Sequence, residues 1–154
     1  MRKSLVTFVF IFFSLTAVFT GCAQDPYQDY IASGLEVKEF PFDLENEKNV
    51  SFGFEKAEIL TDFQAYSAYD FSLDYTEEYF ERNNLLVFVV NGCSSDQMEF
   101  SEILQKEGKL YPVFLRAEIQ DGEPVTDDFI VLSFCAEIPK SEQDSVGEII
   151  YRYR

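Results

Sequence analysis

The stretch LLVFVV at residues 85–90 decides the fold, because it is the most hydrophobic run of the chain beyond residue 22. Such a run is too short for a membrane-spanning helix, which needs about 20 residues. An unbroken apolar segment of this length is typical of a central strand that is buried on both faces. Asn91 and Gly92 follow it directly and indicate a turn.

Beyond this turn, apolar and polar residues alternate, as they do in strands that bury one face. The alternation covers residues 98–104, 111–119, 130–138 and 149–153. Consecutive strands with short connections usually pair antiparallel, so we expect these strands to be antiparallel neighbours.

Upstream of the central strand, the pattern predicts two more strands, one at residues 35–42 and one at residues 50–54 that can continue to Leu60. Two short helices follow, at residues 62–69 and 77–83, and each begins after a residue that can cap a helix. A chain of 154 residues allows one compact domain. The sequence therefore predicts a mainly β fold with a minor α+β character. We expect a small antiparallel β-sandwich or open barrel with one or two short helices, in a single domain at residues 34–154.

The N-terminus has the pattern of an export signal. Arg2 and Lys3 precede a nearly continuous apolar run at residues 5–19, which is followed by Thr20-Gly21-Cys22. This order resembles the signal peptide of bacterial lipoproteins, in which the cysteine is acylated with chains such as palmitate and becomes the mature N-terminus. Phe19 stands where such signals usually carry leucine. A membrane anchor helix is the alternative interpretation, for which the run is short.

The resemblance implies that residues 1–21 are removed, that Cys22 carries the lipid, and that residues 22–33 form a tether. The domain would then be exported and anchored to the outer face of the bacterial cell membrane, or to the outer membrane of a Gram-negative source. Burial of each acyl CH₂ contributes about 0.8 kcal/mol, so several chains on one cysteine would hold the protein firmly.

The composition excludes several classes of function. The chain has 28 acidic and 12 basic residues and a net charge of −16, which disfavours a nucleic-acid partner. It contains no histidine, so it has no Ser–His or Cys–His pair, no imidazole acid–base group and no His-ligated zinc. Ser94 and Ser95 therefore lack the base that would activate a nucleophile. We expect a protein without catalytic residues or a cofactor.

The acidic residues leave calcium as an alternative ligand, because calcium prefers several oxygen donors. The loop at residues 120–128 is the candidate, with Asp121, Glu123, Asp127 and Asp128, although it lacks the spacing of an EF-hand. Such acidic residues usually form a solvated surface, and no metal ligand is assigned on this pattern. The alternative function is therefore a calcium- or small-ligand-binding surface lipoprotein.

Cys93 and Cys135 are the two cysteines beyond Cys22. Export would expose them to oxidising conditions, in which they can form a disulfide. Two free thiols are the other interpretation, because the spacing of two cysteines does not determine their geometry.

Residues 76–140 carry a second resemblance. Glu78-Tyr79-Phe80 precedes the hydrophobic strand, and Ile138-Pro139-Lys140 closes the block. This order is similar to the C-terminal domain of PrcB-type lipoproteins, small bacterial proteins that associate with a partner protease and stabilise it. That family tends to place a Thr-Gly-Gly-Tyr-like turn after the central strand, where this chain has Asn91–Gln97. The resemblance implies a protein partner, whose identity would differ if this loop recognises it.

Two candidate binding surfaces follow from these patterns. The first is the loop after the central strand, with Asn91, Ser94, Ser95, Asp96 and Gln97. The second is the aromatic cluster of the helical region, with Phe63, Tyr66, Tyr69, Tyr75 and Tyr79. Tyrosine is favoured at interfaces, but the same rings would alternatively cover a sheet face in a small domain. The expected function is a lipid-anchored, non-catalytic module that binds another protein, with a surface protease as the implied partner.

Overall fold

The computed structural model describes residues 25–118, 126, 128–140 and 145–154, and this part of the chain contains nine strands and three short α-helices. The strands are β1 (Ile31–Ala32), β2 (Val37–Glu39), β3 (Lys56–Leu60), β4 (Asn83–Gly92), β5 (Glu99–Lys106), β6 (Lys109–Arg116), β7 (Ile130–Pro139), β8 (Ser145–Val146) and β9 (Ile150–Tyr153). The helices are α1 (Glu47–Val50), α2 (Phe63–Ser67) and α3 (Glu77–Arg82), and one turn of 3₁₀ helix covers Ser94–Asp96.

The strands form two sheets that are not closed, which confirms the predicted mainly β fold of the β-sandwich type. The first sheet has the order β2-β7-β4-β3 and is antiparallel throughout. The second sheet contains β1-β5-β6, and both β8 and β9 pair with β6. Those last two pairings are parallel, so the expectation of antiparallel neighbours is wrong for the C-terminal strands.

Strand β4 is buried on both faces, as its composition predicted. Leu86, Phe88 and Val90 pack toward the second sheet, with Phe114 opposite them. Side chains of the alternate positions, Leu85, Val87 and Val89, point to the other face and pack against aromatic rings of the helical region. The first sheet is therefore the middle layer of three, between the second sheet and an aromatic layer built from residues 40–80.

The strand predicted from residue 50 to Leu60 forms only in its second part, and residues 50–54 are not a strand. Residues 47–50 form α1, and the strand lies further along, at β3. Asn49 is the buried residue of α1, and its side-chain amide bonds both backbone groups of Asp70 and the carbonyl oxygen of Asp43, at 2.9–3.1 Å. These bonds tie two irregular segments together and hold Phe52 in the core, while Val50 and Phe54 remain exposed.

Residues 25–33 of the predicted tether pack against the domain, and residues 22–24 lie outside the described residues, so the tether stays a prediction. Tyr27 and Tyr30 pack on the outer face of the second sheet, and β1 pairs with β5. The backbone amide of Ser33 donates to the carbonyl oxygen of Ile103 at 2.8 Å. We call residues 25–33 the N-terminal strap, because they cross and cover this face.

The predicted signal peptide and Cys22 lie outside the described residues. Within the described part, no helix is long and apolar enough to cross a membrane.

Candidate functional site

The two predicted binding surfaces lie at opposite ends of β4. The Asn91–Gln97 loop begins with the last two residues of β4, Asn91 and Gly92, which pair with β7, so the turn predicted at these two residues begins only at Cys93. Helix α3 leads directly into the N-terminal end of β4, and α2 follows β3, whose last residue Leu60 pairs with Leu85. The structure therefore does not bring the loop and the aromatic helix into one surface.

Asp96 organises the Asn91–Gln97 loop from within. Its Oδ2 accepts a hydrogen bond from the Cys93 backbone amide at 3.0 Å and another from Arg116 Nη2 at 2.8 Å. Its carbonyl oxygen accepts from the backbone amide of Ala117 at 2.9 Å. A Cβ at Gly92 would lie 2.7 Å from Asp96 Oδ2, so a side chain there would displace the carboxylate from its present position. The predicted binding residue Asp96 thus has a structural role.

The Asp96–Arg116 ion pair is largely shielded from water, with the two side chains 13% and 23% exposed. The Arg116 hydrogen bond holds the pKa of the Asp96 carboxyl below its ordinary value, and the Cys93 backbone amide acts in the same direction. The Arg116 guanidinium also lies over the ring of Tyr151, 5.0 Å from its centroid. A shielded ion pair with stacking on one side fixes the loop more firmly than an exposed pair would.

The other loop residues connect the loop to its surroundings. Ser95 Oγ lies 2.8 Å from Cys93 Sγ, and the Ser95 backbone amide donates to Thr126 Oγ1 at 3.3 Å. Gln97 is exposed and has a positive φ of 41°, which turns the chain toward β5. The side chain of Ser94 lies outside the described part. The loop is consequently preorganised, and Gln97 is its exposed corner.

A pocket of about 350 Å³ lies beside this loop, and Phe129 lines it together with Asn91, Asp96 and Arg116. The Phe129 ring makes an edge contact with Phe54, with ring centroids 5.4 Å apart. Both rings are open to solvent, Phe54 at 48% and Phe129 at 56% exposure. We define the loop-end surface as the Asn91–Gln97 loop with Phe54 and Phe129.

The sequence patterns did not identify the two phenylalanines of the loop-end surface. Phe54 falls within the strand predicted from residue 50, and Phe129 lies just before the strand predicted at residues 130–138. The sequence offers no signal that separates them from core phenylalanines, since Phe54 follows Gly53 and Phe129 directly precedes β7. Their pairing joins loops that are distant in the chain, which no local pattern encodes.

Most of the predicted aromatic patch belongs to the core, as the alternative interpretation had it. Tyr66 is buried, and its hydroxyl donates to the carbonyl oxygen of Leu73 at 2.6 Å. Tyr69, Tyr75 and Tyr79 are partly buried members of the same layer, and their hydroxyls bond Glu58, Glu137 and the Asn84 carbonyl oxygen, respectively. Burial raises the pKa of the Tyr66, Tyr75 and Tyr79 hydroxyls. Of the five predicted residues, Phe63 is the exposed one, at 36%.

Of the two interpretations of Cys93 and Cys135, the structure has the free thiols and no disulfide between them. Cys135 pairs with Val87 in the β4–β7 ladder, and Cys93 lies six residues further along the β4 chain. At about 3.4 Å per residue, the two cysteines are about 20 Å apart, whereas a disulfide needs Cα atoms within about 7 Å. Cys135 is fully buried, and this burial raises the pKa of its thiol.

The predicted calcium loop is largely outside the described residues, since Asp121, Glu123 and Asp127 belong to the undescribed segments. Asp128 is described and exposed. Among the residues that the structure describes, no group of three or more Cys, Asp or Glu side chains could hold a metal ion. Calcium binding by this loop stays a prediction.

Comparison with known proteins adds no assignment to these surfaces. No protein-family model, curated protein or solved structure shows a significant match to the chain. The resemblance of residues 76–140 to PrcB-type lipoproteins stays a prediction. The two segments that carry it lie side by side, because Asn83 pairs with Pro139 and the Lys140 amide donates to the Arg82 carbonyl oxygen at 3.1 Å.

Proposed function

We propose that this chain is an exported, lipid-anchored β-sandwich that binds another protein through the loop-end surface and does not itself catalyse a reaction. One observation carries the binding proposal: Phe54 and Phe129 form an exposed ring pair beside a loop held in place by a shielded ion pair. Exposed apolar groups within a polar rim are a common feature of protein interfaces.

The rigidity of the loop supports the same proposal. Ordering a mobile loop during association lowers affinity, and a preorganised loop avoids that cost. Asp96 provides this order through contacts with Cys93, Arg116 and Ala117. The aromatic anchors would contribute most of the binding energy, because large rings dominate the energetics of interfaces. The PrcB-like block makes a surface protease the first partner class to test.

Photocrosslinking in the source cells tests the proposal. A benzoylphenylalanine at Gln97, the exposed corner of the loop, should give a discrete adduct with one protein. The double variant Phe54→Ser/Phe129→Ser should abolish this adduct. Phe63→Ser provides the matched control, because it removes an exposed ring from the opposite end of β4 and should leave the adduct intact. Absence of an adduct, or equal loss in both variants, would contradict the proposed surface.

The lipid anchor needs a separate test, because its support is the sequence at residues 20–22. Metabolic labelling with an alkyne analogue of palmitate should mark the wild-type protein and leave Cys22→Ala unmarked. The variant should also appear in the soluble fraction after cell breakage. Labelling that persists in Cys22→Ala would place the acyl group elsewhere or exclude this anchor.

A further inference from the structure

An open groove of about 560 Å³ lies between α2 and α3, at the end of the domain opposite the loop-end surface. Phe80 is buried and forms part of its floor, and the exposed ring of Phe63 stands beside it, with ring centroids 6.4 Å apart. Phe63 also contacts the buried ring of Tyr66 at 5.9 Å. The apolar part of this groove is therefore held by core packing.

The polar part of the groove is strongly acidic. Asp62, Glu77 and Glu81 line it, and Lys140 is the one cationic residue among the described residues that do so. None of the three carboxylates forms an ion pair with a described lysine or arginine. By contrast, Glu78 on the same helix pairs with Arg82 at 3.4 Å. The groove thus collects acidic groups whose charge is not neutralised within the described fold.

The arrangement of these carboxylates favours a cationic occupant. Glu77 and Glu81 are four residues apart on α3, where like charges repel each other, and a cation between them relieves this repulsion. Asp62 is fixed, because its Oδ1 accepts the backbone amide of Ala65 at 2.8 Å as the N-cap of α2. A lysine or arginine in the groove could also lie over the face of Phe63, which adds a cation–π attraction.

We propose that this groove binds a segment of a partner protein that carries a lysine or arginine next to an apolar residue. The cationic group lies among Asp62, Glu77 and Glu81, and the apolar neighbour packs on Phe63 and Phe80. The apolar half distinguishes this occupant from calcium, which requires convergent oxygens around one point. This surface is separate from the loop-end surface, so the proposal goes beyond the proposed function and does not depend on it.

Fluorescence anisotropy with a defined probe tests the groove in the full chain. The probe is a labelled hexapeptide GLKVRG, and its neutral analogue GLQVQG is the peptide control. The variant Glu77→Gln/Glu81→Gln should weaken probe binding about tenfold, since each exposed ion pair contributes modestly and two are removed. Phe63→Ser should also weaken binding, and the remaining affinity should fall as salt is added.

Two matched variants separate this site from the general acidity of the chain and from the other surface. Glu36→Gln/Glu39→Gln removes the same charge from exposed positions around β2 and should leave probe affinity unchanged. Phe54→Ser/Phe129→Ser should also leave probe affinity unchanged, whether or not this variant abolishes the photocrosslinked adduct of the loop-end surface. Equal weakening in both glutamate variants, equal binding of GLQVQG, or no binding of the probe at millimolar concentration would overturn the proposal. A dimer that Glu77→Gln/Glu81→Gln dissociates would overturn it in favour of a second copy of this chain.

Discussion

Replacing Asp96 with alanine removes the carboxylate that holds the Asn91–Gln97 loop against the second sheet. It takes away the acceptor for the Cys93 amide at 3.0 Å and for Arg116 at 2.8 Å. Each hydrogen bond to a charged group contributes about 1.5–3 kcal/mol, and partial exposure of the pair lowers that value. Arg116 keeps its stacking on Tyr151, which limits the cost of leaving it unpaired. We expect Asp96→Ala to lower the free energy of unfolding by about 3 kcal/mol.

Urea denaturation followed by far-UV circular dichroism measures this loss. With a slope of about 1–3 kcal/mol per molar urea, the midpoint should fall by about 1.5 M. The effect also depends on pH. Because Arg116 lowers the pKa of the folded Asp96 carboxyl, the pair stabilises the fold above the ordinary aspartate pKa of about 4. This stabilisation is lost as pH falls through the lower folded-state pKa, so the wild type and Asp96→Ala should converge in strong acid.

Glu99→Ala is the matched control for this experiment. Glu99 pairs with Arg154 at the same distance of 2.8 Å, but their side chains are 54% and 45% exposed. An exposed pair contributes about 0–1 kcal/mol, so this variant should unfold near the wild-type midpoint. If Asp96→Ala were no less stable than Glu99→Ala, the shielded pair would not organise the loop, and the reasoning would be refuted.

Three further predictions concern the core, the N-terminal strap and the cysteines. Phe88→Ala leaves a cavity at a fully buried position between the sheets and should lower the free energy of unfolding, measured by urea denaturation, by about 4 kcal/mol. A decrease below about 1 kcal/mol would contradict the packing of both sheets against this ring. Gly147→Ala places a Cβ against the ring of Tyr111, which packs with the N-terminal strap. Hydrogen exchange of the β1 amides should therefore accelerate, while the β7 amides stay protected. Unchanged exchange in β1 would contradict the coupling between Tyr111 and the strap. Cys93 and Cys135 should both react with iodoacetamide in urea without a reductant, and peptide mapping locates the modified residues. Modification that occurs only after reduction would indicate a disulfide.

Strands with a clear apolar pattern could be predicted from the sequence, because the burial of their faces determines which positions are apolar. LLVFVV is apolar at every position, so it needs a partner on both faces, and β4 has both. The pattern at residues 50–54 fits a strand equally well but occurs in a turn. There the buried amide of Asn49, bonded to Asp43 and Asp70, sets the backbone path. A bond network between distant segments overrides local alternation and leaves no periodic signal.

For the candidate sites, too, local patterns indicated the regions, and contacts between distant segments determined the role of each residue. The cluster of tyrosines indicated an important region, but their hydroxyl partners, such as the Leu73 carbonyl oxygen for Tyr66, place most of them in the core. The sequence indicated the approximate position of the loop, because Asn91 and Gly92 follow the apolar run, but both residues extend β4 and the turn begins at Cys93. The role of Asp96 was not visible, because Arg116 approaches it from another strand.

The sequence by itself determined a mainly β fold, a central strand buried on both faces, the strong acidity and the lack of histidine, because composition and periodicity are local properties of the chain. Only the tertiary structure decided the parallel pairing of β9 with β6, the separation of the two cysteines and the exposed contact of Phe54 with Phe129. Each of these depends on which distant segments become neighbours. That choice follows from the packing of whole layers, since burying one sheet face constrains many residues at once.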